Sequence, residues 1–126
     1  MLVLDTHIAL WWTLEPKRLS RKVLTQINRE KIIGIPTIIF WETALLVRKN
    51  KLELTIGAAA WAQKVCNIPR VINLPLSTEI ALLADSLEMH ADPADRFIVA
   101  TAIIHKATLA TKDTMLRQLR FINTTW

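Results

Sequence analysis

A chain of 126 residues with a 52% hydrophobic fraction can bury a core and is too apolar to be disordered. Two glycines leave almost nothing for a glycine-rich phosphate loop, and a single cysteine, Cys66, excludes an internal disulfide and argues against structural zinc. The net charge of +5 leans mildly toward polyanionic partners, but the basic residues are dispersed and read one by one as solvated helix faces.

The N-terminus, Met1-Leu2-Val3-Leu4-Asp5, has no basic leader region, and no apolar run reaches membrane-spanning length. A cytoplasmic protein without membrane association is expected. Leu2–Leu4 suits a buried central strand that Asp5 and Thr6 end. His7–Leu14 reads as a short helix stopped by Pro16, and Ser20 caps a second helix to about Glu30, with Leu24 and Ile27 inward and Arg21, Lys22 and Arg29 outward. Ile32–Ile35 is a second strand, ended by Pro36. Thr37–Lys49 is a helix whose only charge between Ile38 and Val47 is Glu42. No helical neighbour of Glu42 is basic, so its carboxylate sits at an exposed edge or meets a partner from elsewhere.

Leu54–Cys66 reads as an alanine-rich helix, Val71–Leu76 as a third strand, and Ser77 caps a helix through Glu88. His90–Ala102 then opens a further helix, to Lys106, with Asp92 as N-cap, Pro93 at the first helical position and Asp95 in the first turn. Thr108–Thr111 is a fourth strand followed by Asp113. Thr114–Arg120 is a last helical turn or two, and Phe121–Asn123 an edge strand. Trp41, Trp61 and Cys66 are expected in the core, and one of the adjacent Trp11 and Trp12 is expected to face a partner. With no repeats and no linker, residues 1–126 read as a single domain.

Short apolar strands alternating with helices predict an α/β fold with a parallel sheet covered on both faces. Function in such folds gathers at the carboxyl ends of the strands, where the crossover helices begin. Asp5 ends the first strand, Glu42 lies early in the helix after the second, Asp95 begins the helix leading to the fourth, and Asp113 follows that strand. Four carboxylates on one edge need a cation, and oxygen-only ligands suit Mg²⁺ or Mn²⁺. Such an ion can promote in-line attack on phosphate, so the pattern points to a metal-dependent nuclease. His7, His90 and His105 are expected to be structural or surface residues.

Leu4-Asp5-Thr6, Trp41-Glu42-Thr43-Ala44, Asp92-Pro93-Ala94-Asp95-Arg96 with Ile98–Ala102, and Leu109–Asp113 together resemble a PIN domain, closest to the VapC-type toxins of type II toxin–antitoxin pairs. The resemblance implies a three-layer α/β/α sandwich around a mostly parallel sheet of four or five strands. It also implies a Mg²⁺- or Mn²⁺-dependent endoribonuclease acting on RNA, a homodimer, and a VapB-like antitoxin whose tail covers the toxin groove. Carried over by position, Asp5, Glu42, Asp95 and Asp113 form the acidic, metal-holding quartet, and Thr6 and Thr111 are hydroxyl neighbours. Asp92 is a cap or a supporting residue. Arg96 positions an acid, contacts a phosphate, or makes a plain salt bridge. Two rivals stand beside this. An aspartate-dependent phosphatase would want an acid two residues after Asp5, where His7 stands. A non-catalytic binding module of the same fold would tolerate loss of an acid, whereas all four are present.

Overall fold

The computed structural model describes all 126 residues. In chain order its elements are β1 (Leu2–Leu4), α1 (Thr6–Leu14), a single 3₁₀ turn (Pro16–Arg18), α2 (Arg21–Arg29), β2 (Ile33–Pro36) and α3 (Ile38–Arg48). Then come α4 (Ala58–Cys66), β3 (Val71–Leu74), α5 (Thr78–Ser86), α6 (Pro93–Ile104), β4 (Thr108–Ala110), α7 (Thr114–Arg117) and β5 (Thr124–Thr125). The five strands lie in the order β3-β2-β1-β4-β5, and every pairing is parallel. The sheet is thus wholly parallel, with helices as its crossovers, and forms the middle layer of an α/β/α sandwich.

Burial explains the central position of β1. Leu2, Val3 and Leu4 have no exposed surface, as a strand needs when both its faces are covered. They join a core of 21 buried residues that includes Ile8, Val23, Ile27, Ile33, Ile35, Ile39, Trp61, Ile98, Val99 and Leu109. The helices reach this core by periodicity: α2 buries Val23 and Ile27, four residues apart, and keeps Arg21, Lys22 and Arg29 outside. Serine hydroxyls start two helices, Ser20 Oγ accepting the Val23 N–H at 3.1 Å and Ser77 Oγ the Ile80 N–H at 3.2 Å. Gly34 lets β2 lie close to its neighbours, since a Cβ there would meet Leu74 Cδ1 at 2.7 Å.

Four expectations need correction. The alanine-rich helix begins at Ala58, not Leu54, because Gly57 enters it with a φ of 77°, outside helical space. The last strand is Thr124–Thr125 and not Phe121–Asn123; it pairs with β4 through Leu109–Thr124 and Ala110–Thr125. Trp41 is 52% exposed, because α3 turns Ile39 and Thr43 inward. Trp61 takes the core position instead, with Phe40 at 5.8 Å and its indole N–H donated to Thr13 Oγ1 at 2.8 Å. Cys66, at the end of α4, is exposed, while Val65 beside it is buried.

Candidate active site

The carboxyl edge of the sheet is a row of helix starts, and that explains most of the acids there. Asp5 is the N-cap of α1, and its Oδ1 accepts the Ile8 N–H at 2.8 Å. Asp92 caps α6, its Oδ1 accepting the Asp95 N–H at 3.2 Å. Asp113 caps α7, its Oδ1 accepting the Met115 and Leu116 N–H groups at 2.7 and 3.0 Å. Each cap engages its helix N–H groups through one carboxylate oxygen. In a parallel sheet all three helices begin on the same side, so local capping chemistry concentrates negative charge on one edge.

Tertiary structure adds Glu42 from α3 and Asp95 from the first turn of α6. Asp5, Glu42, Asp92, Asp95 and Asp113 line one cleft of about 620 Å³. Glu42, Asp92 and Asp95 each bring a carboxylate oxygen within 4.8 Å of the others. The partner that Glu42 lacked on its own helix is therefore other carboxylates. Asp92, read from sequence as a cap or supporting residue, is both a cap and a member of the tightest acidic trio.

Burial and mutual repulsion raise these acids. Burial lifts the Asp5 pKa to about 7, against the opposing pull of the Thr111 hydroxyl and the Ile8 N–H, and the charges of Asp95 and Glu42 push it further. Glu42 is raised by burial and by Asp95 and Asp92, with the Thr6 hydroxyl opposing. Asp95 is raised by burial, opposed by its hydrogen bond to His90, and raised by Asp92 and Asp113.

The hydroxyl residues fall where the sequence placed them. Thr111 is buried and accepts the Asp113 N–H at 3.1 Å. Thr6 is buried beside Glu42, near enough for its hydroxyl to oppose the rise of the Glu42 pKa, though it makes no close hydrogen bond. Clustered, oxygen-only donors of like charge fit a hard divalent cation better than a closed network of protein hydrogen bonds.

The Arg96 guanidinium is taken up by backbone carbonyls and not by a salt bridge. It makes no ion pair and touches no cleft carboxylate. Its guanidinium donates to five backbone carbonyls: Ala84 at 2.9, Asp85 at 2.9, Leu87 at 2.8, Met89 at 2.9 and His90 at 3.2 Å. It thereby satisfies the orphan carbonyls at the end of α5 and folds the following loop over α6. That loop delivers His90, whose Nε2 lies 2.8 Å from Asp95 Oδ2. His90, expected to be a structural or surface residue, is a structural partner of a cleft acid. Only its place five residues before Asp95 could have signalled this.

Cations frame the acids. Lys49, Lys51 and Lys112 line the cleft, although the sequence suggested no concentration of charge there. Lys112 Nζ lies 5.6 Å from the ring centres of both Trp11 and Trp126, and the Arg18 guanidinium lies 4.5 Å over Trp11. Trp11 thus faces the cleft, whereas Trp12 turns toward Arg70 at 5.9 Å. His7, also on the cleft wall, is held below its ordinary pKa by burial and by Arg18, with Asp95 opposing.

Residues 2–122 match the model of the PIN domain family. The chain is 35% identical over 118 residues to Ribonuclease VapC22 of Mycobacterium tuberculosis, covering 94% of this chain and 91% of that protein. Its fold is similar to that in the crystal structure of VapBC2 from Rickettsia felis bound to a DNA fragment from their promoter, with a TM-score of 0.74 and 16% identity over 99% of this chain and 98% of that one. The structure of FitAcB from Neisseria gonorrhoeae is similar at a TM-score of 0.68, with 19% identity over 100% and 97% of the two chains.

Proposed function

This chain belongs to the PIN domain family, and from that premise we propose that it is a divalent-metal-dependent endoribonuclease, the toxin of a VapBC-type pair. The observation that carries the proposal is the cleft itself, in which five carboxylates from four helices converge beside lysines. The VapC ribonuclease relative supports the activity, and the toxin–antitoxin complexes of similar fold support a VapB-like partner.

Asp5, Glu42, Asp95 and Asp113, with Asp92, are the residues that would hold the cation, and Mg²⁺ or Mn²⁺ suits their all-oxygen character. Bound there, such an ion would offset the carboxylate charge and would supply the activation of water that phosphodiester hydrolysis needs. The chain's own residues do the rest. The caps fix Asp5, Asp92 and Asp113 through one oxygen each. His90 orients Asp95, and ligand-orienting partners of that kind support metal affinity. Lys49, Lys51 and Lys112 offer positive charge to the phosphates flanking the scissile bond. Trp11 and Trp126 keep Lys112 on the cleft wall.

The proposal extends to a single domain, to the cytoplasm where RNA is met, and to a homodimer. No helix is long and apolar enough to cross a membrane. The deciding experiment incubates purified chain with total RNA in Mn²⁺, in Mg²⁺ and in chelator. Cleavage is expected with either ion and none with chelator, and Asp95→Asn is expected to lower the rate at least about a hundredfold. Equal cleavage by wild type and Asp95→Asn would refute the assignment of the site.

A further inference from the structure

The edge of the sheet where the strands begin carries a second cleft that the acidic site does not use. It has a volume of about 1030 Å³, larger than the acidic cleft. Met1 and Ile32, which precede β1 and β2, line it together with the outer face of α2. Arg21, Lys22, Arg29 and Lys31 line it and are exposed, and the chain's three ion pairs within 4.0 Å involve none of them. Its one carboxylate, Glu30, is engaged by the Met1 amino group at 3.3 Å. The carbonyls ending α2 are also occupied, since Arg70 donates to Ile27 and Glu30. Four cations therefore face solvent, none of them paired with the one carboxylate of the cleft.

We propose that this surface binds the phosphate backbone of a double-helical RNA segment, away from the acidic cleft. Three features choose that occupant. First, Arg21, Thr25 and Arg29 form one stripe of α2, about 12 Å long at 1.5 Å per residue, long enough to meet several phosphates. Second, no aromatic ring lines the cleft, whereas Trp11 and Trp41 line the acidic one. Single strands are held by stacking on rings; a duplex is held by phosphate and sugar contacts without reading bases. Third, an acidic protein would need an apolar centre to its interface, and only Met1 and Ile32 of the lining are apolar.

The surface rests on the reading of the acidic cleft as a ribonuclease site and deepens it. An RNA that uses both edges must have a folded body besides the strand that is cut. Strands β1 to β4 between the edges are three to four residues long, which puts the two surfaces roughly 10–13 Å or more apart.

The test measures binding of a 16-base-pair RNA duplex of arbitrary sequence in EDTA, by anisotropy at 50–200 mM salt. It compares wild type with Arg21→Gln/Arg29→Gln and with the fourfold variant that adds Lys22→Gln and Lys31→Gln. The fourfold variant is expected to lose at least about tenfold in affinity at the lowest salt, and its salt slope to fall by about 3. Cleavage of a five-nucleotide single strand in Mn²⁺ is expected to be unchanged in both variants, since these residues lie outside the acidic cleft. A folded fourfold variant that binds duplex like wild type overturns the proposal, as does a wild type that does not bind duplex at 50 mM salt. Loss of polyglutamate binding with duplex binding intact would assign the surface to an acidic protein and overturn it too. A wild type that binds duplex through these residues but cuts no RNA leaves this inference standing and refutes the ribonuclease reading. One that cuts short strands yet ignores duplex does the reverse.

Discussion

The two edges of the sheet handle like charges in opposite ways. At the carboxyl edge, Asp5 is only 8% exposed and Glu42 and Asp95 are half-buried, so their repulsion is transmitted through poorly solvated surroundings. At the amino edge, Arg21, Lys22, Arg29 and Lys31 are exposed, and water screens them. The carboxyl edge therefore stores electrostatic strain that a cation can release, while the amino edge carries charge at little cost. Function diverges accordingly: a strained pocket suits a metal and chemistry, and a relaxed surface suits a diffuse polyanion.

Replacing Asp5 gives the largest test of this contrast. A folded-state pKa raised from 3.8 to about 7 means that the folded chain holds an extra proton through that interval. Metal-free stability is therefore greatest near pH 4 and falls as pH rises toward 7. By pH 8 the Asp5 contribution is a loss on the order of a few kcal/mol. Asp5→Asn keeps a cap for the Ile8 N–H and removes the charge. Urea unfolding in EDTA is expected to find the variant more stable than wild type at pH 8 and about equal at pH 4. A shallower decline persists, because Glu42 and Asp95 are also raised. Parallel curves for the two proteins would show that the edge is not strained.

Arg96 sharpens the comparison, because it is a cation whose value at the acidic edge is structural. Arg96→Leu abandons five carbonyls and is expected to cost about 2–4 kcal/mol in metal-free stability. His90→Ala leaves those bonds in place and is expected to cost little stability, yet to weaken Mn²⁺ binding by about 10- to 100-fold in a calorimetric titration. Equal Mn²⁺ affinity in His90→Ala would remove the imidazole from the site.

The smallest effect belongs to the amino edge. Arg29→Gln and Lys31→Gln are expected to change unfolding free energy by no more than about 0.5 kcal/mol at any pH from 4 to 8. A larger or pH-dependent change would mean that this edge is electrostatically coupled after all.

Much of this was legible in the chain. Leu2–Leu4 announced a central strand, Ser20, Ser77 and Asp92 announced helix starts, and the isolated Glu42 announced either an exposed edge or a partner from elsewhere. These are local signals, carried by hydrophobic periodicity and by side chains that cap backbone a few residues away. Strand order followed no local signal, but the rule that crossover helices begin at strand ends sufficed to put Asp5, Glu42, Asp95 and Asp113 on one edge. Tertiary structure alone decided the finer facts. It turned Trp41 outward and Trp61 inward, since helix rotation is set by the neighbours a helix packs on. It sent the Arg96 guanidinium to five carbonyls and the His90 imidazole to Asp95, because the groups that complete a loop's hydrogen bonds are chosen by proximity in space. It also gathered Arg21, Lys22, Arg29 and Lys31 around one cleft, where the sequence showed only scattered charges, because electrostatic fields sum over distance and not along the chain.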